Sequence, residues 1–145
     1  MKKSILIEIL STFSRKEIRE FSEYVSSPFF NKNQSIIKLS NYLRIRHPAF
    51  EKSEVEKKAV FAAIFPGVKY NDGFMRTLIS GLSAIAENYL SYTRYKSSFY
   101  KDKIFLLYEL NDRQLDRQIE KNLKNIERKL DAEKVKDYEY YLDKY

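Results

Sequence analysis

Apolar residues recur along most of this chain at every third or fourth position. Phe74, Leu78, Leu82, Ile85, Tyr89 and Tyr92 are spaced 4, 4, 3, 4 and 3, and Met75, Ile79, Ala86 and Leu90 widen the stripe. Arg76, Ser80, Ser83, Glu87 and Arg94 fall on the opposite face. That pattern predicts the longest helix of the chain, over about 73–96, with a broad buried front. Leu115, Ile119, Leu123, Ile126 and Leu130 are spaced 4, 4, 3 and 4 among charged residues, which predicts a helix over about 113–130 with a solvated back. Val135, Tyr138, Leu142 and Tyr145 align along a separate last helix over 132–145, and 99–110 reads as a further one, broken by Asn111-Asp112. The apolar run Ile104–Tyr108 lacks bounding turn residues, so helix is preferred there over strand.

Stops and starts fall between these stripes. Pro28, Pro48 and Pro66-Gly67 each mark a boundary, because the residue before a proline is pushed out of the helical region. Ser14-Arg15-Lys16-Glu17 and Ser53-Glu54-Val55-Glu56 both match the capping box, in which a Ser oxygen accepts an early helical N–H and a Glu reaches back. Ile18, Phe21 and Val25 follow the first; Val55, Ala59, Ala62 and Ala63, then Phe65, follow the second. Asn71-Asp72 is a cap for the long helix. Ile5–Leu10, interrupted by Glu8, reads as a short amphipathic helix rather than a secretory segment. The expectation is an all-α fold of five to seven helices ending in an antiparallel helical pair.

Charge changes the picture by its distribution. Residues 1–97 hold 16 Lys+Arg against 9 Asp+Glu, a difference of +7, whereas residues 98–145 hold 11 of each. We therefore read a basic helical domain over 1–97 and a helical-pair extension over 98–145, packed on it or continuous with it. An excess of this kind admits nucleic acid or an acidic partner.

Candidate chemistry is sparse. With no cysteine, disulfides and thiolate metal sites are excluded. The lone His47, beside Pro48, reads as a surface residue near a helix end. Carboxylates alternate with cations, as in Glu120–Lys124 and Glu127 near Arg128, which marks solvated faces rather than acid–base sites. Three glycines are too few for a phosphate cradle, and no nucleophile elbow occurs. We expect no catalytic residue, no metal and no cofactor. Tyr89, Tyr92, Tyr95 and Phe99 are spaced 3, 3 and 4, with Arg94 and Lys96 interleaved. Such a stripe can stack bases, but a helix–helix seam with hydroxyls at its wet edge is the preferred reading.

Two resemblances follow from particular residues. Ser26-Ser27-Pro28-Phe29-Phe30-Asn31, then His47-Pro48-Ala49-Phe50, Ile64-Phe65-Pro66-Gly67 and Tyr70-Asn71-Asp72, resemble in order the N-terminal region of a set of large, uncharacterised bacterial helical proteins. The resemblance spans nearly the whole chain, and Tyr138–Tyr145 is similar to the start of the helical array that follows there. It implies the fold and a longer chain past Tyr145, and it carries no activity. Separately, Glu56–Leu90 resembles the helix–turn–helix core of winged-helix transcriptional activators, with Ile64-Phe65-Pro66 where those proteins end one helix. That likeness implies Arg76, Thr77 and Ser80 as groove-facing residues, although no Gly-turned hairpin follows for a wing.

The function expected is a non-catalytic, cytoplasmic helical protein-interaction module, part of a larger helical protein. Its partner is a protein, either a second copy or the remainder of a longer chain, and no membrane is involved. Tyr138, Tyr141 and Tyr145, still in phase at the last residue, are the candidate partner-binding residues. The alternative is DNA or RNA binding through Lys57, Lys58, Arg76, Thr77 and Ser80.

Overall fold

A computed structural model describes Met1 and residues 4–144, with side chains through Glu133. The described residues form seven helices and no strand: α1 (Ile5–Ser11), α2 (Arg15–Ser26), α3 (Gln34–Arg46), α4 (Lys57–Ile64), α5 (Asp72–Ser97), α6 (Phe99–Asp112) and α7 (Asp116–Lys144). The all-α class expected from the periodicity is the observed one. The chain divides into two compact units, Met1–Ser91 and Tyr92–Tyr145, with the division inside α5.

The first unit is built from capped helices. The Ser14 hydroxyl accepts from the Glu17 N–H at 3.1 Å, and the Glu17 carboxylate accepts from the Ser14 N–H at 3.3 Å, completing the box that starts α2. Asn33 Oδ1 caps α3 by accepting from the Ser35 and Ile36 N–H groups at 3.0 and 3.3 Å. Asn71 Oδ1 accepts from the Phe74 N–H at 2.9 Å and caps α5. The second proposed box does not form. The Glu54 and Val55 N–H groups bond the Glu51 carbonyl in a turn, Val55 is fully buried, and α4 begins two residues later at Lys57 with no side-chain cap.

The core of this unit joins Leu6, Leu10, Phe21, Val25, Leu39 and Leu43 to Met75, Leu78 and Leu82 of α5. Each such side chain contributes about 1.5–3 kcal/mol by leaving water. Gly81 of α5 lies close under Ile36 of α3: a Cβ there would lie 2.8 Å from Ile36 Cδ1. The inward stripe of α5 is Met75, Leu78, Leu82, Ile85, Ala86 and Tyr89, which corrects the expected one at both ends. Phe74 is 42% exposed and leans on the rings of Phe65 and Phe61 at the rim, while Tyr92 is also exposed. In α4 the buried face is Val60, Phe61 and Ile64, and Ala59, Ala62 and Ala63 face solvent; with the helix starting at Lys57, the larger side chains take the core.

His47 is half-buried rather than a surface residue. It ends α3, and its Nε2 lies 2.7 Å from the Phe13 carbonyl oxygen; since a carbonyl only accepts, Nε2 carries the proton. The next three residues turn the chain so that Phe50, at φ 44°, is driven into the core at 1% exposure.

The second unit holds the end of α5, α6 and α7. Lys96 Nζ meets Asp102 Oδ1 at 3.2 Å, and Tyr95 packs on Phe105 with ring centroids 5.7 Å apart. α6 and α7 run antiparallel: Tyr100 donates to Glu133 at 2.7 Å, and Lys103 Nζ donates to Asn122 Oδ1 at 3.2 Å. Lys129 Nζ sits 3.8 Å from the Phe99 ring centroid. Their turn is a Schellman motif, in which the Leu115 N–H bonds the Leu110 carbonyl at 2.9 Å and the Gln114 N–H bonds the Asn111 carbonyl at 3.0 Å. Gln114 takes the left-handed position, φ 56°, that glycine usually fills. Asn111-Asp112 therefore closes α6 rather than breaking before it. The two last helices expected from the sequence are one, α7, which at 29 residues is longer than α5 at 26.

Candidate interaction surfaces

Two surfaces stand out, one in each unit. In the first unit α1, the start of α4 and α5 border a groove of about 560 Å³. Ile5, Ile79 and Ala84 line it with apolar side chains, and Lys57, Arg76 and Glu87 with charged ones. The groove brings together Lys57, Arg76 and Ser80, three of the residues expected to meet nucleic acid, Ser80 from the winged-helix resemblance. Thr77 lines an adjoining concavity with Arg76 and Ser80, and Lys58 lies 6.0 Å from the Tyr70 ring centroid.

Asp72 dominates the electrostatics at this edge. Its carboxylate accepts from the Tyr70 hydroxyl at 2.7 Å, from Arg76 Nε at 2.9 Å, and faces Lys57 Nζ at 3.7 Å. The Tyr70 hydrogen bond first, and then the two cations, hold the Asp72 carboxyl below its ordinary range; the same hydrogen bond raises the Tyr70 hydroxyl. One carboxylate thus draws in two of the cations that would face a phosphate. The Thr77 hydroxyl donates to the Gly73 carbonyl of its own helix at 3.0 Å. On α2, Lys16 pairs with Glu20 at 3.8 Å.

The second surface is the α6–α7 pair. No described side chain in either helix is buried. Phe105 is 56% and Tyr108 63% exposed, with Ile104 and Leu106 beside them; Leu115 in the turn and Leu123 and Leu130 on α7 are also open. Arg117, Lys121, Lys124 and Arg128, spaced 4, 3 and 4, line another face of α7 with Glu120 and Asn125. The pattern of α7 showed its stripe, but the run Ile104–Tyr108 gave no sign of being uncovered, because an apolar run reads the same whether or not anything lies against it. Tyr138, Tyr141 and Tyr145, the residues expected to bind a partner, lie outside the described side chains.

Among the described residues, no three His, Cys, Asp or Glu side chains converge as metal ligands, and no helix is long and apolar enough to cross a membrane. No protein-family model, curated protein or solved structure matches this chain.

Proposed function

We propose that this chain is a non-catalytic helical protein-interaction module of the cytoplasm, built as part of a larger helical assembly. The observation that carries the reading is the α6–α7 pair: two amphipathic helices of 14 and 29 residues with no buried side chain among those described. Helices gain most of their stability from packing an apolar face, so a pair that covers each stripe on one side only is suited to a partner that covers the other.

The test is binding of the apolar dye ANS to the full chain at low concentration. Wild type should enhance dye fluorescence, and Phe105→Ser with Tyr108→Ser should reduce the signal while far-UV circular dichroism stays helical. A wild-type chain that leaves the dye dark refutes the reading.

A second reading, nucleic-acid binding through α4 and α5, is favoured by the convergence of Lys57, Arg76 and Ser80 on one groove. It ranks below the first because Asp72 engages both cations and the Thr77 hydroxyl is already bonded to its own helix. Sequence readout uses several polar side chains at helical spacing that are free to reach base edges.

A further inference from the structure

The corner between α4 and α5 carries a cluster of rings and lysines that the α6–α7 surface leaves unused. Phe65 ends α4, and the chain turns through Pro66-Gly67, where Gly67 takes φ 76° and the Val68 N–H bonds the Phe65 carbonyl at 3.2 Å. Phe65 meets Phe74 of α5 with ring centroids 5.6 Å apart, and Val68 is left 59% exposed. Phe61 is buried and touches Phe65 and Tyr70 with centroids 5.1 and 5.3 Å apart. Lys38 Nζ of α3 lies 5.5 Å from the Phe65 centroid, and Lys58 Nζ lies 6.0 Å from that of Tyr70. The run of contacts Lys38–Phe65–Phe61–Tyr70–Lys58 thus begins and ends on a cation. Lys69, between Val68 and Tyr70 in the chain, is exposed and adds a third.

None of these three lysines has a carboxylate partner among the described residues, whereas Lys57 and Arg76 share Asp72. An open apolar surface edged by such cations suits apolar side chains edged by carboxylates. The +7 of the whole chain attracts a segment of that kind. Two other polyanions fit less well. Phe65 and Tyr70, on which a base would stack, each already have a lysine over the ring, and Val68 has no ring to offer. Anionic lipid is held by clusters of roughly four to eight cations, more than stand here.

We propose that this corner is a docking face for an acidic protein segment that carries apolar side chains. Its carboxylates meet Lys38, Lys58 and Lys69, and an apolar side chain covers Val68 and the open part of Phe74. The proposal adds a partner to the interaction module and does not depend on the α6–α7 surface.

Fluorescence anisotropy of short labelled peptides with the full chain tests it. The probes permute Glu and Asp around Leu, Ile and Phe; matched sets replace the acids by Gln, or the apolar residues by Ser. The tightest acidic–apolar probe should bind at least about tenfold more tightly than its Gln and its Ser counterparts. Lys38→Ala with Lys58→Ala should weaken that binding by at least about tenfold, and Val68→Ser by about fivefold. Lys121→Ala with Lys124→Ala removes the same charge from α7 and should change it by less than about twofold. Should the Lys38 and Lys58 double variant lose helicity by circular dichroism, each single variant is held to the Val68→Ser criterion. Equal binding of the Gln or the Ser set overturns the proposal, as do equal weakening by the α7 variants and the absence of binding by every probe. Labelled oligothymidylate or phosphatidylserine vesicles that bind more tightly than every peptide, and lose that binding in Val68→Ser, overturn it in favour of nucleic acid or membrane.

Discussion

At the scale of single residues, Tyr89 shows how burial sets chemistry in the first unit. Its ring packs on Phe13, Phe21 and Tyr24 with centroids 5.3–5.6 Å apart, and the residue is 4% exposed. Its hydroxyl lies 3.5 Å from both the Glu17 carbonyl and the Glu20 carboxylate. Burial first, then the negative charges of Glu20 and Glu17, push the phenol up to about 12. In the unfolded chain the phenol titrates near its ordinary value of about 10. The folded state therefore holds the proton more tightly, and the stability this adds is complete below pH ~10 and is lost as pH climbs to ~12. Urea denaturation of wild type and Tyr89→Phe checks this directly. The stability difference should be constant at neutral pH and shift against wild type between pH ~10 and ~12. A difference independent of pH over that window would show that the phenol does not feel its surroundings in this way.

At the scale of elements, the helices were legible where apolar spacing and capping chemistry agreed. Ser14 and Glu17 satisfied both conditions and formed a box. Ser53 and Glu56 matched the same motif but sit beside Val55, whose burial holds the segment as a turn, so tertiary packing overrode the local signal. Phe74 and Met75 are adjacent and both apolar; which one faces inward depends on where α4 lies, and sequence spacing does not carry that. The groove draws Ile5, Lys57 and Ile79 from three helices, so nothing in any one segment announces it. The α6–α7 turn was expected at Asn111-Asp112 and lies a few residues later, for a sharper reason. Its left-handed position holds Gln114, not the Gly or Asn that signals a helix end. A side chain there costs about 1–2 kcal/mol. Gln114→Gly should relieve most of that cost and slow hydrogen exchange of the α6 and α7 amides about fivefold, the effect of ~1 kcal/mol, while β-branched Gln114→Val should speed it. Equal exchange in all three chains would mean that the turn is not strained.

At the scale of the whole molecule, charge is where the two functional readings make different predictions. Residues 1–91 hold 14 Lys+Arg and 9 Asp+Glu, leaving +5, and the neutral segment 98–145 adds nothing to it. An excess of that size can attract a polyanion, but affinity depends on how many cations meet phosphates at once. Three of these cations are engaged by carboxylates: Lys16 by Glu20, and Lys57 and Arg76 by Asp72. Exposed pairs of this kind add little to stability, yet each must be broken or shared before its cation can serve a phosphate. Fluorescence anisotropy of a labelled duplex should therefore show no specific binding at physiological salt. Any weak association at low salt should vanish steeply as salt rises, since log K falls by about 0.9 per phosphate neutralised for each decade of salt. Asp72→Asn releases both cations without removing either, so it should strengthen that weak association. Reversal of Lys57, Lys58 and Arg76 to Glu should abolish it. Sub-micromolar, salt-sensitive binding by wild type that the triple reversal removes would place nucleic acid ahead of a protein partner for this chain.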